Sequence, residues 1–157
     1  KNIVIMSGGN YHFLQCTVAS FSTPVLQHQF PVLSVSNAGD DGAGDLQAVF
    51  TNCIFWGDVG VADEVLISRQ GNTAFQVLFD HAILKQEHYP DNVDTTSVML
   101  NSDPLFLKTD YSNRAYDFHL QSGSPALGQG KNTGTAVDLD GNERPAGKQD
   151  LGCYERQ

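Results

Sequence analysis

The sequence predicts an all-β fold: a right-handed parallel β-helix of three to four rungs with an irregular C-terminal cap. Three features of its 157 residues predict it. These are an eight-residue pattern written three times, a second apolar pattern interleaved with it, and connecting segments made of turn chemistry. The eight-residue pattern reads YHFLQCTV at 11–18, AVFTNCIF at 48–55 and VLFDHAIL at 77–84. Its first, third, sixth and eighth positions are apolar in every copy: Tyr11, Phe13, Cys16, Val18; Ala48, Phe50, Cys53, Phe55; Val77, Phe79, Ala82, Leu84. A flat strand would keep period two throughout. A helix would place apolar residues at i, i+3, i+4 and i+7. Period two, a skip of three, then period two again describes two short strands joined by a sharp bend. The bend falls near Gln15, Asn52 and His81, and asparagine tolerates the left-handed conformation that such a bend needs.

The second pattern is the set of runs Ile3–Met6, Leu33–Ser36, Val65–Ser68 and Val98–Asn101. Ile5, Val35, Ile67 and Leu100 are 30, 32 and 33 residues apart, and the phenylalanines 13, 50 and 79 are 37 and 29 apart. Two interleaved series near one shared period define a repeating unit of roughly thirty residues, within the range of solenoids and propellers. Helical repeats need a helical stretch in each unit. Here the connections are Ser20–Pro24, Ala38–Asp45 and Arg69–Thr73, rich in Gly, Ser, Asp and Pro. A propeller blade needs four strands, and only about three fit into each unit. The remaining architecture stacks each unit on the next at about 4.8 Å, with like side chains in one inner column. Cys16 and Cys53 then occupy one inward position in neighbouring rungs, as two buried thiols behaving like small hydrophobes; a bridge between them is the lesser alternative, because stacked rungs rarely offer relaxed disulfide geometry.

Bulk composition narrows the function classes. The hydrophobic share of 40% supports a packed core. Nine Lys+Arg against 18 Asp+Glu give a formal charge of -9. That argues against nucleic acid and anionic membranes as partners, because both need a basic face. No apolar run is long enough to span a membrane. Three cysteines without metal-site spacing do not support zinc. A chain that opens at Lys1 straight into a strand-like run predicts a fragment of a longer protein, with the remaining upstream β-helix rungs as its covalent partners.

Residues 1–102 are read as rungs and 103–157 as the cap of the same domain. The cap carries an ordered string of motifs: Asp103-Pro104-Leu105-Phe106, Asp117-Phe118-His119-Leu120, Gly123-Ser124-Pro125-Ala126, Asp138-Leu139-Asp140-Gly141-Asn142-Glu143-Arg144-Pro145 and Asp150-Leu151-Gly152-Cys153-Tyr154-Glu155. This string, with Asn52-Cys53-Ile54-Phe55-Trp56-Gly57 upstream, resembles the C-terminal end of secreted, surface-associated right-handed β-helix proteins of the pectin-lyase-like superfamily. The chain departs from that pattern at Leu127–Gly130 and at Cys153. The resemblance implies an extracellular or cell-surface location and a link to polysaccharides. It also implies chemistry on the outside of the rungs. Lyases of this fold combine acidic side chains that hold Ca2+ with a Lys or Arg base, and its hydrolases pair carboxylates.

Four groups are candidates for such chemistry. Asp40, Asp41 and Asp45 put three carboxylates into six residues, enough to bind Ca2+ or simply to solvate a Gly-Asp loop. Asp138–Asn142 looks superficially like the start of an EF-hand loop. It lacks the glycine at the sixth place and the late bidentate Glu, so it is read as a structural turn with Arg144 paired to one of its aspartates. Asp80, His81, Lys85, Glu87 and His88 could perform acid–base work, or His81 could serve only as a polar bend residue. Arg69 and Lys85 are candidate bases. Trp56 and Tyr89, with Tyr111 and Tyr116, could present flat rings to sugars or pack beneath loops. The expected role is structural or carbohydrate-binding. The alternative is the C-terminal part of a polysaccharide lyase or glycoside hydrolase whose catalytic rungs lie upstream.

Overall fold

The computed structural model describes residues 2–157. Among these residues there are twelve strands and no helix, and the longer sheets are parallel. Strands β1 (Ile3–Ile5), β4 (Leu33–Ser36) and β8 (Val65–Ser68) form one sheet in the order β1-β4-β8. Strands β2 (Gly9–Leu14), β7 (Leu46–Gly57), β9 (Phe75–Leu84) and β10 (Asp94–Leu100) form a second, in the order β10-β9-β7-β2. Strand β3 (Thr17–Ser20) continues β2 beyond its bend and also pairs with β7. A hairpin of β5 (Ala38–Gly39) and β6 (Gly42–Ala43) leads into β7. A second hairpin, β11 (Phe106–Asp110) with β12 (Ala115–Leu120), opens the C-terminal stretch.

The register follows the written pattern. Phe13 pairs with Phe50 and Phe50 with Phe79, while Ile3, Val4 and Ile5 pair with Leu33, Ser34 and Val35. Phe13 and Phe50 stack with ring centroids 5.1 Å apart, and Phe50 and Phe79 with centroids 4.9 Å apart. Phe55 meets Phe50 and Phe79 edge-on, at 5.4 and 5.8 Å. The inward residues of both sheets, including Ile5, Val35, Val65, Leu46 and Val77, close around these rings in one dry cluster.

Each bend lies where the skip of three puts it. Gln15, Asn52 and His81 have φ of 55°, 55° and 59°, and Ser97 in β10 repeats the conformation at 53°. Asn52 is fully buried and ties the bend to the C-terminal stretch. Its Nδ2 donates to the Lys131 carbonyl at 2.7 Å, and its Oδ1 accepts the Lys131 N–H at 3.0 Å. Gly130 passes so close that a Cβ there would collide with the Asn52 amide. Asn52→Ala is expected to cost about 2–4 kcal/mol, from two lost buried hydrogen bonds and a less tolerant residue at positive φ. Asn52→Gly should recover only the conformational part. Urea midpoints of the two variants check both values.

Two features differ from the sequence expectation. Residues 98–101 do not join the Ile5–Val35–Ile67 series. Val98, Met99 and Leu100 pair instead with Ala82, Ile83 and Leu84 of the preceding bent strand. The turn before them is short because a side chain stands in for a strand. Gln86 accepts the Val65 N–H at 2.7 Å and donates to the Val65 carbonyl at 3.0 Å, finishing the β1-β4-β8 sheet without further backbone. The inward file ends there too, with Thr95 paired to Phe79 and hydrogen-bonded to the Tyr89 hydroxyl at 2.6 Å.

The second difference is where residues 103–157 lie. They run along a flank of the bent strands rather than over the end of the column. The outward residues Ile54 and Ile83, with Trp56 and Met99 beside them, pack against Phe106, Leu120, Ala126 and Leu151 in a second apolar cluster. Hydrogen bonds hold the flank. Gly152 N–H donates to the Asn52 carbonyl at 2.8 Å, and Cys153 N–H to Thr17 Oγ1 at 3.1 Å. The Gln15 and Gln149 amides meet at 2.6 Å. The bend residues, polar and outward, form the seam along which this segment docks.

Candidate functional site

A groove is open along the seam. About 450 Å³ lies between the bends of β9 and β10 and the C-terminal stretch, bordered by His81, Ser97, Gln129, Lys131 and Lys148 with Met99 on its floor. The left-handed bend turns His81 outward into this space. Its Nδ1 contacts Asp80 Oδ1 at 2.7 Å, which leaves Nε2 for other contacts. Asp80 is 8% exposed, and its second oxygen is ion-paired with the Lys131 ammonium. Burial opposes ionisation of Asp80, but the hydrogen bonds from Lys131 and His81 outweigh it and hold the carboxyl below the usual aspartate range. The groove thus gathers two of the chain's nine Lys and Arg residues, with an imidazole oriented by a carboxylate. That set can bind an anion, and its imidazole can accept or deliver a proton.

The other candidates are dispersed. Asp40 and Asp41 form the exposed tip between β5 and β6, while Asp45 Oδ1 accepts the Ala74 N–H of the next turn at 2.9 Å. Spending Asp45 on that backbone contact separates it from the other two. Among the described residues no three His, Cys, Asp or Glu side chains are grouped to hold a metal. Trp56 points away from the inner column and packs into the flank cluster. Tyr89 is half-exposed and bonded to Thr95, in the loop between β9 and β10. The two rings therefore sit in different settings. Tyr111 and Tyr116 pack on Phe21, at 5.8 and 5.5 Å between centroids.

The Asp80–His88 group also splits. Lys85 donates to the Asp58 carbonyl, and His88 Nδ1 contacts Asp63 Oδ2 at 2.9 Å, so neither joins His81. Arg69 donates to the Thr73 carbonyl at 3.4 Å within its own loop. Asp138 makes the structural turn, accepting N–H groups from Asp140, Asn142 and Glu155 at 2.8 to 3.0 Å. Arg144 does not pair with that turn's aspartates. Its guanidinium is buried and bonds Glu155 Oε2 at 2.7 Å and the Gly152 carbonyl at 3.1 Å. Glu155 is the carboxylate that enters the same buried layer.

A cluster that sequence reasoning missed lies between the long loops. His28 Nδ1 contacts Asp58 Oδ1 at 2.9 Å and His28 Nε2 contacts Glu64 Oε1 at 2.8 Å. Ser22 donates to both Asp58 oxygens at 2.8 Å, and the Val32 N–H donates to Glu64 Oε2 at 3.2 Å. Glu64 is fully buried, and burial pushes its carboxyl up despite the opposing His28 and Lys85 charges. Gly57 is required beside it, since a Cβ there would strike the Glu64 carboxylate. With both ring nitrogens engaged, His28 ties loop 21–32 to loop 58–64 and takes no open substrate face.

Protonation of the folded state sets a pH window. Asp138 is held low because backbone and side-chain N–H groups overcome its burial, and Asp80 because Lys131 and His81 do. A carboxyl held lower in the folded chain than in the unfolded one stabilises the fold above the unfolded value. That contribution disappears as pH falls through the folded one. His119 is raised, chiefly by Asp117 and also by Asp140. Its contribution is complete below the ordinary histidine value and fades as pH rises through the raised one. Stability measured by urea unfolding is therefore expected to fall steeply below about pH 4 and to decline above about pH 6.5, with Glu64, raised by burial, drawing the maximum towards the acid end of that window.

Comparison of the chain with protein-family models, with curated proteins and with solved structures found no match.

Proposed function

We propose that this chain is a segment of a right-handed parallel β-helix of the pectin-lyase-like kind, exported to the cell surface, and that it binds an acidic polysaccharide along its flank. One observation carries the binding reading: His81, Lys131 and Lys148 converge on a single groove in a protein of net charge -9. A carboxylate-bearing sugar fits such a groove, because its charge meets the Lys148 ammonium and the half-exposed Lys131 ammonium that Asp80 already holds in place, while the rest of the surface repels non-specific anions. The in-register stacking of turns about thirty residues apart supports the β-helix part of the reading.

The test is calorimetric titration with uronate and neutral oligosaccharides of equal length. Uronate oligomers should bind, weaken as salt is raised, and weaken roughly fivefold more in Lys148→Ala, the value of about 1 kcal/mol for one exposed charge pair. Equal binding of the neutral series, or none of either, would remove the reading. The Asp80–His81 contact beside Lys131 favours a second reading, β-elimination, in which His81 takes the proton α to the uronate carboxyl, the C=C bond forms, and the glycosidic oxygen on the β carbon leaves and is protonated by solvent. Appearance of unsaturated product by ultraviolet absorption, abolished by His81→Ala, would establish it.

A further inference from the structure

We propose that two copies of this chain join end to end through β10, the two strands pairing antiparallel across a two-fold axis so that the inner columns become continuous. The proposal uses the cations that border the groove and not a sugar bound there, so it stands apart from the binding role.

The column is open at β10. Among the described residues this strand pairs with β9 alone, and its other edge is free. Asp94, Thr95, Thr96, Ser97 and Leu100 are exposed, as is Tyr89 beside Thr95. The neighbouring sheet is finished differently, because the Gln86 amide closes the edge of β8. Residues 103–157 lie on the flank and leave the β10 edge uncovered. A free strand edge is a template for another strand.

The pattern of β10 selects a second copy as that strand. Residues 93–100 write the eight-residue pattern a fourth time, as VDTTSVML. Val93, Thr95, Val98 and Leu100 hold its inward places. Thr95, Val98 and Leu100 are in register with Phe79, Ala82 and Leu84, and Val93 and Val98 pack on the inner cluster. First, third, sixth and eighth is a symmetric set, the same when read backwards. In an antiparallel pair, residues directly opposite point to the same face. With Val93 opposite Leu100 of the second copy, Thr95 falls opposite its Val98, and every inward residue meets an inward one. The corner at Thr96 and Ser97, where Ser97 has φ of 53°, then lies on the two-fold axis, and the bent strands match arm for arm. A shift of one residue would set inward residues against outward ones.

The same register makes the charges complementary. Asp94 holds an outward place, is exposed and has no side-chain partner among the described residues. It falls opposite Met99 of the second copy, on the floor of the groove that Lys131 and Lys148 border. Each copy thus offers a carboxylate to the other's ammonium groups, twice per dimer. These contacts act locally against the general repulsion between two molecules of net charge -9.

Sedimentation velocity on the 157-residue chain, from micromolar to millimolar concentration, tests the proposal. Wild type should show a reversible monomer–dimer equilibrium that stops at two copies and weakens as salt is raised. Asp94→Lys should weaken it roughly tenfold or more, from two lost charge pairs and two new repulsions. Lys148→Asp should act in the same direction. Combining Asp94→Lys with Lys148→Asp should restore the dimer, which a folding defect would not do. Thr95→Lys, at an exposed place on the end of the column, should be monomeric with the far-ultraviolet circular dichroism of wild type. A wild-type chain that stays monomeric at millimolar concentration, an open-ended assembly, or a double charge reversal that fails to restore the dimer would overturn the proposal.

Discussion

Phe50→Ala is expected to lower unfolding free energy by about 3–5 kcal/mol, the largest loss for any single side chain of the column. The ring is fully buried, stacked between Phe13 and Phe79 and met edge-on by Phe55. Removing it opens a cavity and takes away three aromatic contacts, each worth about 0.5–1.5 kcal/mol beyond its buried area. Neighbouring strands are pinned on both sides of Phe50 by ladder bonds, so the walls cannot collapse into the gap. Phe13→Ala should cost roughly half as much, because Phe13 is only half-buried and stacks on one side only. Equilibrium urea unfolding gives both numbers as midpoint shifts at constant slope. Equal losses at the two positions would show that the rings act independently rather than as a stack.

His28→Ala should cost about 3–5 kcal/mol at neutral pH, by a different mechanism. The imidazole separates Asp58 from Glu64, and deleting it leaves two nearly buried carboxylates with no intervening donor. Lys85 already donates to the Asp58 carbonyl, so no nearby cation is free to replace it. Because burial raises Glu64, that carboxyl can take up a proton as pH falls, and the cost of the variant should shrink in mild acid. Glu64→Gln, which keeps the shape and can still hydrogen-bond His28, should cost less than half as much. Loss of the His28 effect in the Glu64→Gln background, measured as a double-mutant cycle, would locate the energy in that contact.

The column was legible because its signal is local. The skip of three marks the bends at Gln15, Asn52 and His81, and each carries the left-handed φ expected of it. Ser97 was missed because Val98–Leu100 has the composition of the other strand family. Composition cannot reveal that the Gln86 amide has replaced a strand and shortened the turn. The groove was only half legible. Asp80 and His81 are neighbours in sequence, but Lys131 comes from a segment without periodicity, 51 residues away from the aspartate it pairs with. The His28 cluster spans 36 residues between two irregular loops, where no repeat points to it. One signal went unused: Ile54 and Ile83 are apolar at positions that face outward, and outward apolar residues at matched register imply a second layer against them. The Arg144 partner was assigned by proximity in sequence, whereas burial selects Glu155.

The flank arrangement has a consequence for biosynthesis. Ile54 and Ile83 are complete in the nascent chain well before Ala126 and Leu151, the residues that cover them, leave the ribosome. Until then the growing polypeptide displays a greasy stripe beside stacked strand edges, the kind of surface that invites association with other unfinished chains. A stop codon a few residues before Leu151 would leave that stripe only partly covered, by Phe106, Leu120 and Ala126. Such truncated products should depend on chaperones, or be cleared by proteases, although every strand of the column has already been made.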